Sequence, residues 1–465
     1  MSILETIEAM TENETSSITD KTKKSIKDFL ENEYISFASY DNVRKIASYI
    51  DGMKLSQRKV LYTFLEKNIT KEVKVARIVS NIADFTNYIH GEKSLEGVLV
   101  NTAQNFVGSN NINLLHPEGS FGTRFIPAPA ASRYIYSHLS EYAKKVFRSE
   151  DSPVLEENYF EGEKVEYKYY MPVIPLILVN GSEGISLGFS QKILPRKPKK
   201  IIEVLQNYIK NKNLPNGILP GYNGFNGTIS SEMTKGSFSI FGKFEVEKNK
   251  IVITEVPIGY TLKGYIKELD KLQDRKIIQS YRDLSDKDEF RFEIRSKKLM
   301  DWYNSGNDEK IYKELKLVKK VTENFTCIDE NNKIVEFQDE IELLEAFINK
   351  RVEVYHKRKD YQLNKWQEEI DFLNDRIKFI QNIIDDNIVI NKNKKENILK
   401  KCNELGIKFA EKHLQMNLLN LTEEKINELL SQRDKLQKQY DDLKNKDIFD
   451  IWNEELEELK NILPA

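Results

Sequence analysis

The sequence has 465 residues, with 71 Lys plus Arg against 73 Asp plus Glu, 40% hydrophobic and 31% charged residues, which describes several folded domains and excludes both wholesale disorder and a small stapled module. A net charge of −2 argues against indiscriminate polyanion binding, and no apolar run nears the ~18 residues of a membrane span, so no membrane partner is expected. Cys327 and Cys402 lie far apart, which leaves no disulfide framework and no CxxC metal or redox pair, and points to a reducing compartment.

Residues 1–28 are mostly polar and read as a flexible N-terminal arm, and their acidic start lacks the basic and apolar regions of a signal peptide. The expected location is therefore cytoplasmic. From about Ile26 apolar residues recur at helical spacing, and Arg58–Phe64 and Ile78–Phe85 read as short amphipathic helices in a helix-turn-helix or winged-helix module. The charges are sorted along the chain. Between Lys54 and Arg77 stand Lys54, Arg58, Lys59, Lys67, Lys71, Lys74 and Arg77 against only Glu66 and Glu72, whereas Glu423–Lys460 is predominantly acidic, so only the former suits a polyanion. A small helical domain with a solvated basic face is the alternative reading of that segment.

His116–Ser132 is rich in Gly and Pro and reads as a loop or a pair of short strands. Residues 171–189 form a buried apolar run broken by Asn-Gly and Glu-Gly turns, and strand-like stretches then alternate with helical ones in a mixed α/β region. Beyond about Ile341, Leu363, Trp366, Ile370, Leu373, Ile377, Ile380 and Ile384 step by three and four, a heptad seam. A second helix is expected after Thr422, with Leu429, Leu436 and Leu443 at seven-residue spacing, so the two could pair as an antiparallel coiled coil. The insert between them carries Leu414, Met416, Leu418 and Leu419, a cluster that either forms a dimer contact or packs on its own insert.

Common catalytic signatures are missing: there is no Walker loop, HExxH, GxSxG or EF-hand, and no metal-ligating cluster is singled out. The glycines of NGSEGISLG lack the lysine of a phosphate loop and read as turn residues. Ser132–Tyr136 (SRYIY) is the sharper feature. A tyrosine hydroxyl has a pKa near 10, so attack on a phosphodiester needs cations that stabilise phenolate and the charge on phosphorus. Arg133 is adjacent to Tyr134, and Arg44 and His90 lie in the same part of the chain. Most tyrosines fill cores, and pattern alone does not single out Tyr134.

Longer motifs do. IDGMKLSQRKVLY (50–62), YIHGEKSL (88–95), AQNFVGSNNINLLHPEGSFGTR (103–124), AASRYIYS (130–137) and PLILVNGSEGISLGFS (175–190) resemble, in order, the segments of type IIA DNA topoisomerase breakage-reunion subunits. The likeness runs from about residue 30 to the C-terminus. It implies a mixed α/β multidomain fold: a winged-helix (CAP-like) DNA-cleavage domain over 29–165, an α/β tower over 166–338, and over 339–465 a long antiparallel coiled coil with a helical dimerisation gate, its tip at about 385–421.

The resemblance also implies roles. Tyr134 would attack the DNA backbone and become linked to a 5′ phosphate, Arg133 and Arg44 would grip the scissile phosphate, and His90 would donate a hydrogen bond to it. Ile185 matches the isoleucine that wedges between base pairs, and Lys54, Arg58, Lys59, Lys74 and Arg77 would contact phosphates. Ile89 stands where many members have a first histidine. The chain lacks the family's ATP-binding and acidic metal-binding motifs, so ATP and Mg²⁺ are expected on a partner subunit, with double-stranded DNA and a second copy of this chain as the other partners. FIPAP (125–129) is shorter than the stretch of bacterial and eukaryotic members, as in the medium subunit of T-even-phage type, which implies a relaxing and decatenating enzyme in a bacterial or phage-infected cell. Two other readings use a winged helix: a non-catalytic dimeric DNA-binding or architectural protein, which has no need of Tyr134 with Arg133, and a type IIB or recombination-initiating tyrosine transesterase, which would be expected to carry its own metal-binding domain.

Overall fold

The computed structural model describes residues 25–417 and 420–464. Most of the expected arm, and Leu418 and Leu419 of the tip cluster, therefore lie outside the described residues. The fold is mixed α/β.

Three helices, Leu55–Glu66, Val75–Phe85 and Glu92–Ala103, pack together because each buries a stripe at three- and four-residue spacing, as Val75, Ile78, Val79 and Ile82 do. Against them lies an antiparallel three-stranded sheet in the order Val73–Lys74, Tyr136–Leu139, Leu115–Glu118. The Gly/Pro segment leaves this sheet after Glu118 and returns to it at Tyr136. A hairpin, Ser182–Ile185 with Ser190–Ile193, follows the buried run 171–179.

Next come two antiparallel sheets. One orders Val318–Thr322, Ser237–Phe241, Thr228–Ser231; the other orders Lys243–Glu247, Lys250–Glu255, Phe292–Arg295, Ser280–Asp283. The strand-like stretches of the sequence are all found in them. The second sheet and the helices Leu262–Asp274, Lys297–Asn304 and Asp308–Glu314 share a separate core around Tyr265, Leu269, Phe292 and Ile294.

The helix Glu340–Ile384 is 45 residues long, about 68 Å at the α-helical rise. Asp339 starts it by accepting from the amides of Ile341 and Glu342. The helix Glu423–Asn445 packs along it in the opposite direction, since Lys359 reaches the carbonyl of Lys444 while Asn374 meets Arg433. Ile370 and Ile380 are the most deeply buried of the expected seam, and Ile380 shares a core with Ile426 and Leu429. The insert forms its own core from Phe379, Ile388, Ile398, Cys402 and Ile407, and Leu414 and Met416 pack on it.

The helix Ile448–Ile462 packs on the helices Glu141–Val146 and Pro198–Asn211. Trp452 is fully buried and donates from Nε1 to the carbonyl of Val173 at 2.9 Å. One apolar core thereby joins residues between 47 and 218 with Leu343–Tyr355 and Ile448–Leu463. Arg351, also fully buried, pairs with Asp151 at 2.6 Å and Glu455 at 3.3 Å at the foot of the long helix, while Arg148 and Lys145 bind Glu458. Part of the acidic surplus near the C-terminus is thus consumed in holding the chain together. Among the described residues no helix is long and apolar enough to cross a membrane.

Candidate active site

Tyr134 sits where the Gly/Pro segment meets the sheet. Ile135 is buried and accepts from the amide of Val75 at 3.0 Å, Ala76 donates to Ser132 at 3.2 Å, and Tyr134 closes a turn onto Ala131 at 2.8 Å. Tyr134, on the bend just before the strand Tyr136–Leu139, is 65% exposed, on a backbone fixed from both sides. The Arg133 guanidinium lies 4.9 Å from the centre of the Tyr134 ring. Lys74, opposite Tyr136 in the sheet, and Arg77 in the first turn of the adjoining helix are exposed. Among the described residues none of these three cations makes an ion pair. Arg133 thus sets a cation against an accessible phenol, an arrangement suited to a phosphate. Tyr136 is half-buried with Lys74 5.7 Å from its ring centre, which leaves Tyr134 the better placed hydroxyl.

The segment before Tyr134 is a compact loop. Ala130 donates to Ser120 at 2.9 Å, and Gln104 Nε2 donates to the carbonyls of Phe121 and Pro127 at 2.8 and 3.1 Å. Gly122 has φ +93°, and a Cβ there would stand 2.4 Å from the Pro127 oxygen, so the turn requires glycine. At the tip, Arg124 pairs with buried Glu255 at 2.7 Å and donates to the Val256 carbonyl at 2.8 Å, while Phe125 meets Phe290 at 4.8 Å. The loop is therefore fastened to the larger of the two sheets.

Arg44 and His90 come together in a second cluster, on the wall of a cavity of about 360 Å³ that Tyr40, Tyr88 and Tyr159 also line. Burial, with Arg44 and Lys59 close by, holds the His90 imidazole below its usual range, so it is neutral at pH 7. Among the described residues no hydrogen bond, ion pair or ring contact joins this cluster to Tyr134 or Arg133.

Ile185 ends the hairpin, 77% exposed, and is not a core residue. The hairpin is braced on the helix Ile35–Lys45: a Cβ on Gly184 would stand 2.0 Å from the Lys45 carbonyl oxygen, and Ser186 donates to Asp41 at 2.9 Å. Lys54 Nζ donates to the Glu183 carbonyl at 2.7 Å beneath it.

Arg58 and Lys59 require correction. Both were expected at phosphates, and both are buried. Arg58 binds Asp51 at 2.7 Å, and Lys59 binds Glu166 at 2.8 Å and the Thr86 carbonyl at 2.6 Å. Burial beside a carboxylate satisfies each charge internally, so neither is free for a polyanion. Conversely, the sequence reading missed Tyr40, Gln104 and Arg124. Tyr40 had a usable signal, its i, i+4 spacing to Arg44 on one helix face; Gln104 and Arg124 had none, because their partners are remote in sequence.

The residues around Tyr134 are cations, and among the described residues no group of three His, Cys, Asp or Glu could hold a metal ion. These side chains by themselves do not fit Mg²⁺.

A family model described as the A subunit of DNA gyrase/topoisomerase IV matches residues 44–457. The mitochondrial DNA topoisomerase 2 of Dictyostelium discoideum is 32% identical over 450 residues, covering 94% of this chain and 35% of the relative. DNA topoisomerase 2 of Bombyx mori is 36% identical over 392 residues, covering 82% and 25%. The crystal structure of the Plasmodium falciparum topoisomerase II DNA-binding, cleavage and re-ligation domain superposes with a TM-score of 0.83 at 32% identity, covering 96% of this chain and 65% of that one. The chain thus spans about a third or less of the curated relatives' length.

Proposed function

The chain belongs to the family of DNA gyrase and topoisomerase IV A subunits, and from this we propose that it is the DNA-cleaving and religating subunit of an ATP-dependent type II DNA topoisomerase. The observation that carries the reading is Tyr134: an exposed hydroxyl on an anchored backbone, with the Arg133 guanidinium against its ring. Tyr134 Oη attacks phosphorus and loses its proton; the bond from phosphorus to the 3′ oxygen breaks, leaving a 3′ hydroxyl and a 5′ phosphotyrosyl diester. Because one diester replaces another, the 3′ hydroxyl reverses the step and reseals the strand without nucleotide. A guanidinium fork stabilises the pentacoordinate transition state more than the ground state, the part given to Arg133 and Arg44. Neutral His90 donates to a phosphate oxygen.

Lys54, Lys74 and Arg77 carry backbone phosphates in a sequence-tolerant, salt-sensitive way. Ile185, apolar and exposed on a braced hairpin, unstacks a base step and bends the duplex, at a cost of a few kcal/mol. In this reading the three-helix and sheet unit of 29–165 is a winged-helix domain, 166–338 the tower, and 339–465 a coiled-coil arm whose tip joins a second copy. Mg²⁺ and ATP are assigned to a partner subunit, and the phage-type, relaxing and decatenating assignment rests on the short Phe125–Pro129 stretch. The cytoplasm of a bacterial or phage-infected cell follows from that assignment.

The test mixes the chain with its ATPase subunit, supercoiled DNA and Mg²⁺, stops with detergent, and scores protein on 5′ ends. Wild type is expected to form the adduct and Tyr134→Phe none. Adducts persisting in Tyr134→Phe would move the nucleophile to Tyr136; salt-sensitive binding with no adduct in either protein would favour the architectural reading.

A further inference from the structure

Tyr40 lies one helical turn before Arg44, so both side chains leave the same face of the helix Ile35–Lys45. Its hydroxyl is 2.5 Å from His90 Nε2, the two rings lie 5.8 Å apart, and the Arg44 guanidinium is 5.7 Å from the centre of the Tyr40 ring. Tyr88 meets the imidazole from another side, edge to face at 5.6 Å. Ile89, the preceding residue, turns to solvent. His90 is therefore held between two aromatic rings, and one phenol touches both members of the cluster.

We propose that Tyr40 is a positioning residue of the cleavage site: its hydroxyl donates to His90 Nε2, placing the imidazole proton on Nδ1 and fixing the ring, while its own ring holds Arg44 alongside. The catalytic consequence rests on the topoisomerase reading; the Tyr40–His90 bond does not. A phenol O–H is a stronger acid than the N–H of a neutral imidazole, so the phenol is the donor, and the hydrogen bond at one ring nitrogen decides which nitrogen carries the proton. Nδ1–H is then the donor that His90 offers a phosphate. The charged and titratable groups facing the ring are Tyr40 and Arg44 from one helix, Lys59 from the helix Leu55–Glu66, itself engaged with Glu166, and Tyr88 from the same loop as His90. Burial and both cations oppose the imidazolium, which keeps the ring neutral and the tautomer choice meaningful.

The test has two arms. In the full chain without DNA, labelled with ¹⁵N-histidine and with the His90 signal identified by its loss in His90→Gln, the wild type is expected to show His90 protonated at Nδ1. Tyr40→Phe, which keeps the ring but removes the hydroxyl, should move it to the Nε2–H form. An unchanged tautomer would overturn the proposal. In the holoenzyme, Tyr40→Phe is expected to slow single-turnover adduct formation about ten- to a hundredfold with DNA affinity unchanged. In a His90→Ala background the same substitution should cost nothing further. Equal added loss in both backgrounds would mean that Tyr40 acts independently of His90, against the proposal. A wild-type holoenzyme that forms no adduct would refute the topoisomerase reading, and the tautomer measurement would still decide the Tyr40–His90 bond.

Discussion

Substitution should separate the basic residues between Lys54 and Arg77 into two physical kinds. Asp51 has no exposure, and its carboxylate accepts from Arg58 Nε at 2.7 Å, Arg58 Nη2 at 3.2 Å, and the amides of Met53 and Tyr170 at 3.0 and 3.1 Å. Arg58→Gln withdraws the only cation paired with that carboxylate among the described residues, while leaving it buried. Breaking a buried pair in this way costs about 3–5 kcal/mol. Lys74→Gln changes an exposed side chain and should leave stability within about 0.5 kcal/mol, and, with the proposed phosphate contact removed, should lower the slope of log Kobs against log[salt] by about 0.9. The assay is anisotropy of a labelled duplex across a salt series, beside denaturant unfolding of each variant. Arg58→Gln should unfold at clearly lower denaturant and keep the wild-type salt slope at temperatures where it remains folded. Wild-type stability with a reduced slope in Arg58→Gln, together with an unchanged slope in Lys74→Gln, would refute the division.

Three further outcomes follow from the same geometry. Gly184→Ala places a methyl 2.0 Å from the Lys45 oxygen and must push the hairpin off its brace; it and Ile185→Ala are both expected to abolish DNA bending measured by energy transfer between duplex ends. Arg124→Leu leaves the Glu255 carboxylate buried without its cation and should destabilise by about 3 kcal/mol, whereas the double variant with Glu255→Leu should recover most of the loss in denaturant unfolding; simple addition of the two losses would contradict the pairing. His413 is almost fully buried, with Nδ1 unpartnered among the described residues, so burial outweighs Asp375 and, with Arg376 nearby, holds its pKa below the ordinary 6.5. A histidine depressed on folding binds fewer protons folded than unfolded, so the tip is most stable above about pH 6.5 and loses stability as pH falls below it. Protection factors of the tip amides, taken relative to intrinsic exchange at each pH, should fall with acidification in wild type and lose that dependence in His413→Phe.

Local spacing was enough to locate most elements. The stripe Val75, Ile78, Val79, Ile82 and the seam from Leu363 to Ile384 repeat at the period of a helix, and that period depends only on near neighbours. Local pattern did not single out Tyr134; the longer motifs did, by resemblance, and the structure adds that its side chain is exposed with the Arg133 guanidinium against its ring. The fate of a charge was not legible. Lys59 and Lys74 look alike in sequence, but a carboxylate 107 residues away reaches Lys59, and no acidic partner is paired with Lys74 among the described residues. The same holds for the core, where Trp452 closes onto Val173 from 279 residues away and joins the C-terminal helix to the N-terminal ones. Periodicity is set by the backbone of each element, whereas pairing and burial depend on which remote segments meet, and only the tertiary structure decides that.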